Sequence, residues 1–395
     1  MNLLVLHSEL GVLRGGGENF TRNLFAAFAE RGHCVAVAFV ADHNGRYPLS
    51  LPPIIQPIPI PGWWSSSLGQ ATLSSLGRYL PPRSRYRKEW DRFQAAINWR
   101  VFGWHKRRFQ KRIESKFSER WDDFDAVYVH GDTALASMVA CHRPTLLRLP
   151  GPVTADSAPM LQKIGAVCAN GDALAQIRGF LGDYALELPA GLDNQLFRPD
   201  SSSVRSALGW GNQHRVIGYV GRLAHLKGVD LLAAAFRQLS QKTSDVRLLI
   251  IGSGAEEKSI RSVLSKQLAQ GLVHIEPDLD HSQLAQGYRA MDLLVMPSRY
   301  ENFSNALLEA MACGVPFLAS GVGGNRIMAE SGAGWLFECG SVSSLVARLK
   351  EILKNGSELK ARGKIGFDYV KKDHSWSATA QRLEEIVLSR LGVRK

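Results

Sequence analysis

The chain has 395 residues, 45% hydrophobic and 21% charged, which is too long for one core and too apolar for a disordered protein. Its five cysteines (Cys34, Cys141, Cys168, Cys313 and Cys339) form no C-x-x-C pair, which argues against a disulfide framework or a zinc site and for a reducing compartment. No apolar run approaches the ~20 residues needed to span a bilayer, and most of the net charge of +12 lies between Arg78 and Arg120, where 14 Lys and Arg meet 4 Asp and Glu.

The first 42 residues read strand, glycine loop, helix, strand. Leu3 to Leu6 is an apolar strand, and it makes the start of the chain a buried strand rather than a signal peptide. Gly15-Gly16-Gly17 opens a helix over Glu18 to Arg31, with Phe20, Leu24, Phe25 and Phe28 at helical spacing and Gly32 as its stop. Val35 to Val40 is the second strand. This βαβ start predicts a parallel sheet covered by helices. The glycine run lets backbone approach a ligand, although the G-x-G-x-x-G spacing is absent and a plain tight turn fits equally well.

From 43 to 121 the rhythm breaks. Pro48 to Gly62 predicts an irregular or polyproline path. Trp63, Trp64, Trp90, Trp99, Trp104 and Trp121 then interleave with Arg83, Arg85, Arg87, Lys88, Arg100, Lys106, Arg107, Arg108, Lys111 and Arg112. Such a segment can anchor in an anionic membrane interface, stack on nucleic acid, or be a solvated helix whose tryptophans are buried.

Strands resume at Ala126 to Val129, which delivers His130 to the carboxyl end of a strand, where ligands of parallel sheets bind. Thr145 to Leu149, Ala166 to Ala169 and Tyr184 to Leu188 are further strands, and a polar connection from Pro189 to Ser203 marks the domain boundary. The second half repeats the pattern. Val216 to Val220 runs into the loop Gly221 to Gly228, which carries Arg222 and Lys227, and then into a helix from Val229 to Ser240. Two cations in one strand-to-helix loop suit a diphosphate. Val246 to Ile251 ends in Gly252-Ser253-Gly254, and Val273 to Glu276, Leu293 to Met296 and Pro316 to Ala319 are three more strands. After Met296, a loop with Glu301, Asn302 and Phe303 leads to Ser304, an N-cap candidate, and a helix that places Asn305 and Glu309 on one face. A final helix spans about Ser377 to Leu391.

A cation pair beside a carboxylate pair suits a ligand that has both a diphosphate and hydroxyls, and a nucleotide sugar has both. With Gly15-Gly16-Gly17-Glu18, Val129-His130-Gly131, Pro189-Ala190-Gly191-Leu192-Asp193, Gly221-Arg222 with Lys227-Gly228, and the Glu-x7-Glu of Glu301 and Glu309, the chain resembles glycosyltransferase family 4. These are retaining enzymes of the GT-B fold, also called glycosyl transferases group 1. The resemblance implies an α/β, GT-B protein with two Rossmann-like domains whose parallel sheets face a central crevice. The expected division is 1–195 (with the Trp-rich basic insertion at about 44–121), 196–375, and a C-terminal helix at 376–395.

The resemblance also implies roles. Arg222 and Lys227 hold the donor diphosphate and stabilise the leaving group, and Glu309 binds the ribose hydroxyls. Glu301, with Asn302, Phe303, Ser304 and Asn305, grips the sugar and the phosphate, and His130 bonds the sugar. Gly16, Gly17, Gly221 and Gly252 allow close approach. Catalysis rests on Glu301, Arg222, Lys227 and His130, without metal or cofactor. The co-substrate is a UDP or GDP sugar, and the acceptor is a glycolipid, a polysaccharide precursor of the cell envelope or a small glycoside. The protein is expected in the cytoplasm, peripheral on an anionic membrane through Arg78 to Arg120, with no nucleic acid as partner. A nucleotide-sugar epimerase or a phosphorylase on the same frame is the alternative. The sequence departs from the family at Glu301-Asn302-Phe303-Ser304, where Glu-Gly-Phe-Gly is common. It also departs at Ala190, commonly asparagine, and at Asn325-Arg326-Ile327, where Asn-Pro-Glu is usual.

Overall fold

The computed structural model describes residues 1–10, 16–41, 51–61, 103–151, 153–277 and 279–393. Gly11 to Gly15, Trp63, Trp64, Trp90, Trp99 and the basic residues from Arg78 to Arg100 lie outside the described residues. The chain divides into two compact units. One comprises Met1–Ala169, Gln176–Leu188 and Thr379–Lys395, and the other comprises Asn170–Ala175 and Pro189–Ala378.

The first unit is built on a seven-stranded parallel sheet in the order β3-β2-β1-β4-β5-β6-β7. Its strands are β1 (Asn2–His7), β2 (Cys34–Ala41), β3 (Gln56–Pro61), β4 (Ala126–His130), β5 (Thr145–Arg148), β6 (Ala166–Ala169) and β7 (Ala185–Glu187). The central strands read as unbroken apolar runs because helices cover both faces of the sheet. Leu4, Val5, Leu6, Val127 and Val129 are fully buried, and each contributes about 1.5–3 kcal/mol of transfer free energy. The helix Gly16–Glu30 turns Phe20, Leu24, Phe25 and Phe28 into this core.

The proline-rich stretch departs from the expected irregular path, since Gln56–Pro61 is a strand paired with β2. Successive residues of a strand direct their N–H groups to opposite edges. Pro57, Pro59 and Pro61 alternate with Gln56, Ile58 and Ile60, and β3 is the last strand on its side. The missing N–H groups can therefore all fall on the open edge, where no ladder needs them.

The second unit has six parallel strands in the order β10-β9-β8-β11-β12-β13. They are β8 (Arg215–Val220), β9 (Val246–Ile251), β10 (Val273–Glu276), β11 (Leu293–Met296), β12 (Phe317–Ser320) and β13 (Gly334–Phe337). The sequence pattern misses β13, whose four residues begin with glycine. Both sheets contain the Rossmann order, in which the direction of strand addition reverses between β1 and β4 and again between β8 and β11. Ligands of such sheets bind at the carboxyl ends of the strands flanking that reversal. The expected α/β class with two parallel-sheet, Rossmann-like units is what the chain forms.

The final helix, Trp376–Leu391, buries Ala380, Leu383, Ile386 and Val387. Its residues from Thr379 onward pack with the first unit, where Glu384 pairs with Arg31 at 2.5 Å.

Candidate active site

In the second unit, the reversal between β8 and β11 brings together two loops about 70 residues apart. The turn His225–Lys227 follows β8 and ends at Gly228, whose φ of +67° is open to glycine; a Cβ there would also overlap the Pro297 carbonyl. The loop after β11 is pinned to this turn by Arg299. Its N–H donates to the Leu226 carbonyl at 2.8 Å, and its guanidinium grips the Asp230 carboxylate at 2.8 and 2.7 Å. That bidentate clamp aligns Lys227 with Glu301, and Lys227 Nζ donates to Glu301 Oε2 at 2.6 Å.

Glu301 is buried, with 8% of its surface exposed. The same Oε2 accepts from Ser298 Oγ at 3.2 Å, and Ser320 Oγ in turn donates to the Ser298 carbonyl at 2.5 Å. Asn325 Nδ2 closes the chain by donating to the Ser320 carbonyl at 3.1 Å. With Oε2 shared by lysine and serine, Oε1 makes no hydrogen bond with a described residue and is left for another donor. A buried ion pair is poor value for stability, because desolvation offsets the attraction. Its place at the strand reversal, where ligands of parallel sheets bind, makes it a candidate ligand contact.

Ser304 caps the helix Asn305–Ala312, its Oγ accepting from the Leu307 N–H at 3.3 Å, so the remaining first-turn amides face the Glu301 loop. Glu309, half-buried in that helix, accepts from the Tyr288 hydroxyl at 2.7 Å. Burial raises the Glu309 carboxyl to about 7, against the opposing effect of that hydrogen bond. Asn302 does not project freely: its Oδ1 accepts from the Ala173 N–H at 2.7 Å and its carbonyl from the Asp172 N–H at 3.1 Å. Phe303 lies 6.3 Å from the His374 ring, and Asn305 is exposed. Arg222 is exposed and forms no ion pair among the described residues. Gly252 packs against Gly221, and a Cβ at Gly252 would overlap the Gly221 carbonyl. Arg326, the departure after Gly324, donates to the Gly321 carbonyl at 2.7 Å.

Two Asp-x-Asp stretches also exist, at Asp123-Phe124-Asp125 and Asp278-Leu279-Asp280. Asp123 pairs with Arg120, Asp125 accepts from the Asn2 N–H, and Asp280 caps the helix His281–Arg289 in a capping box with Gln283.

In the first unit, His130 ends β4 at the other reversal. His7, at the end of β1, stacks on it with ring centroids 4.1 Å apart. His130 Nδ1 meets the Tyr128 hydroxyl at 3.3 Å, and His7 Nδ1 meets Thr21 Oγ1 at 2.9 Å. Burial first, and Arg148 and Lys106 second, lower His7 to about 3; burial, then His7 and Arg148, lower His130. Both rings are therefore neutral. Gly17 lies over His130, and a Cβ there would be 3.2 Å from its Nε2. Gly16 begins the helix. His7 and Arg148 escaped the sequence reading, although each occupies the same kind of strand end as His130.

Residues 200–368 match the family model described as glycosyl transferases group 1. A D-inositol 3-phosphate glycosyltransferase from Segniliparus rotundus is 34% identical over 202 residues, 50% of this chain and 45% of the relative. A GDP-mannose-dependent monoacylated alpha-(1-6)-phosphatidylinositol monomannoside mannosyltransferase from Corynebacterium glutamicum is 32% identical over 213 residues, 51% of this chain and 55% of that protein. The chain spans about half the length of these curated relatives. Among solved structures, sucrose-phosphate synthase from Thermosynechococcus elongatus superposes with a TM-score of 0.76 at 20% identity, covering 100% of both chains. Anabaena HepE in complex with UDP superposes with a TM-score of 0.71 at 18% identity, covering 98% of this chain and 100% of that one. These likenesses show the fold, two Rossmann-like units of the GT-B class. Residues 200–368 are thus similar to the glycosyl transferases group 1 family.

Proposed function

We propose that the protein is a retaining glycosyltransferase that moves a sugar from a nucleoside-diphosphate sugar to a hydroxyl acceptor. The observation that carries this is the Lys227–Glu301 pair at 2.6 Å, set at the β8/β11 reversal beside the capped helix Asn305–Ala312. Lys227, the exposed Arg222 and the free amides of that helix supply positive potential for a diphosphate. Glu301 Oε1 accepts from a sugar hydroxyl, and Glu309 accepts from the ribose hydroxyls. In transfer, the acceptor hydroxyl bonds to the anomeric carbon as its bond to the diphosphate oxygen breaks. The departing phosphate takes the acceptor proton, so no separate base enters, and Lys227 and Arg222 stand where a metal would. Lys227 and Arg222 stabilise the charge that grows on the leaving group; preorganised donors of this kind are worth about 10²–10³ in rate each.

One relative is named for GDP-mannose and one neighbour holds UDP, so both nucleotides are the donors to test. Nucleotide release from UDP and GDP sugars, measured with and without an acceptor, separates transfer from an epimerase that frees nucleotide unaided. Loss of release in Lys227→Ala is expected. Release that ignores both the acceptor and this substitution contradicts the reading.

The basic segment supports an anionic, membrane-borne acceptor. In its described part, His105, Phe109, Ile113 and Phe117 face inward every four residues, while Arg107, Arg108, Lys111 and Lys116 face out beside the exposed Trp104. No helix of the described residues is long and apolar enough to cross a membrane. Flotation with anionic liposomes is expected to carry the protein upward, and its absence contradicts the surface role.

A further inference from the structure

Arg148, at the end of β5, is 5% exposed. Its five N–H donors make no hydrogen bond and no ion pair with any described residue, and its Nε is buried without a partner. Its guanidinium lies 3.6 Å from the centre of the Phe20 ring, a cation–π contact that holds its orientation without satisfying a donor. The groups electrostatically coupled to it are the Tyr128 hydroxyl and the Cys168 thiol, and burial keeps both protonated at neutral pH. Buried charge without a partner is among the most costly features a fold can carry.

Arg148 does not stand alone. Strand register sets it directly beside His130, and His130 stacks on His7, so the three lie side by side at the ends of β5, β4 and β1. Equivalent positions of parallel strands share a face, the face on which Gly17 and Phe20 lie. His130 Nε2, the nitrogen toward Gly17, makes no hydrogen bond with a described residue. A planar fork of donors and one ring nitrogen thus lie together under a glycine, without partners among the described residues.

We propose that Arg148 and His130 form an anion subsite in the first unit that takes a phosphate group, through paired Arg148–oxygen hydrogen bonds and one contact from His130. On the reading above, the phosphate belongs to the acceptor, so the enzyme glycosylates a phosphorylated hydroxyl compound rather than a neutral sugar.

The test uses the full chain carrying Lys227→Ala, which silences the second unit's cation site. Calorimetric titration with inorganic phosphate and with glucose 6-phosphate probes the free phosphate, and flotation with phosphatidylinositol vesicles probes a lipid headgroup. Binding of at least one of them is expected. Adding Arg148→Met should weaken it tenfold or more and Arg148→Lys by less, because lysine keeps the charge without the fork. Arg148→Met should also melt at a higher temperature, since it removes an unpaired buried charge. Failure of all three probes to bind, binding indifferent to Arg148→Met, or a lower melting temperature or failure to fold in that variant would each overturn the assignment. Donor binding, measured with Lys227 intact, should survive Arg148→Met. If wild-type protein binds phosphate but no sugar nucleotide, the transferase reading falls and the anion subsite stands.

Discussion

Replacing Glu309 by glutamine tests whether a charge is held at this position against stability. The carboxyl is raised from 4.5 to about 7, mainly by burial. At 1.36 kcal/mol per pH unit this corresponds to an upper limit of about 3 kcal/mol, since the side chain is only half-buried. Between the two values the unfolded chain has released the proton and the folded protein has kept it. Stability therefore falls as pH rises from 4.5 to 7, and above 7 the whole penalty is present. Glutamine still accepts from the Tyr288 hydroxyl but does not titrate. Urea midpoints of the second unit's transition, taken from pH 4 to 8.5, should show Glu309→Gln gaining on wild type with rising pH. The gain should level off above 7 at no more than about 3 kcal/mol. The same substitution reads function, because ribose hydroxyls donate to the carboxylate form. The donor KM of wild type should rise as pH falls below 7, while that of Glu309→Gln should be higher and independent of pH. A stability difference that is constant across the pH range refutes the reasoning.

Ser304→Ala removes the side-chain acceptor from the helix start and should cost about 1 kcal/mol, seen as a lower urea midpoint. Asn302→Ala leaves the Ala173 N–H without its acceptor and should cost about 1 kcal/mol as well, again read by urea. Gly324→Ala places a Cβ on the Asn302 carbonyl, so the Glu301 loop must shift; a large loss of donor affinity by calorimetry is expected, and wild-type affinity would show that the loop is not held there.

The strands were legible wherever burial on both faces made them continuous apolar runs, as in β1, β4, β8 and β11. β3 was hidden because its prolines argue against pairing unless one knows that the strand is at an edge, which depends on the finished sheet. Arg222, Lys227 and Glu301 could be picked out because each lies in the loop after a strand end, and Glu309 because it lies in the helix that such a loop enters; chain order makes these positions visible. That Lys227 pairs with Glu301 across 74 positions could not be read locally, nor could the Arg299–Asp230 clamp that aligns them. Asn302 looked like an added side chain for the ligand, yet it caps a neighbouring segment, since a polar side chain answers the nearest unsatisfied amide. Arg148 ends β5, yet its position alone did not set it apart. An arginine at the end of a short strand resembles surface charge until packing by the helix Gly16–Glu30 buries it.

On the proposed function, the second unit holds a nucleoside-diphosphate sugar with Lys227 on the diphosphate and Glu309 on the ribose. Calorimetric titration of wild type, Lys227→Ala and Glu309→Ala with UDP and GDP sugars tests it most directly. Wild type should bind a donor of one nucleotide class, and each substitution should weaken this at least tenfold in a protein that still folds. Equal affinity in all three proteins, or no binding of any sugar nucleotide by wild type, would contradict it.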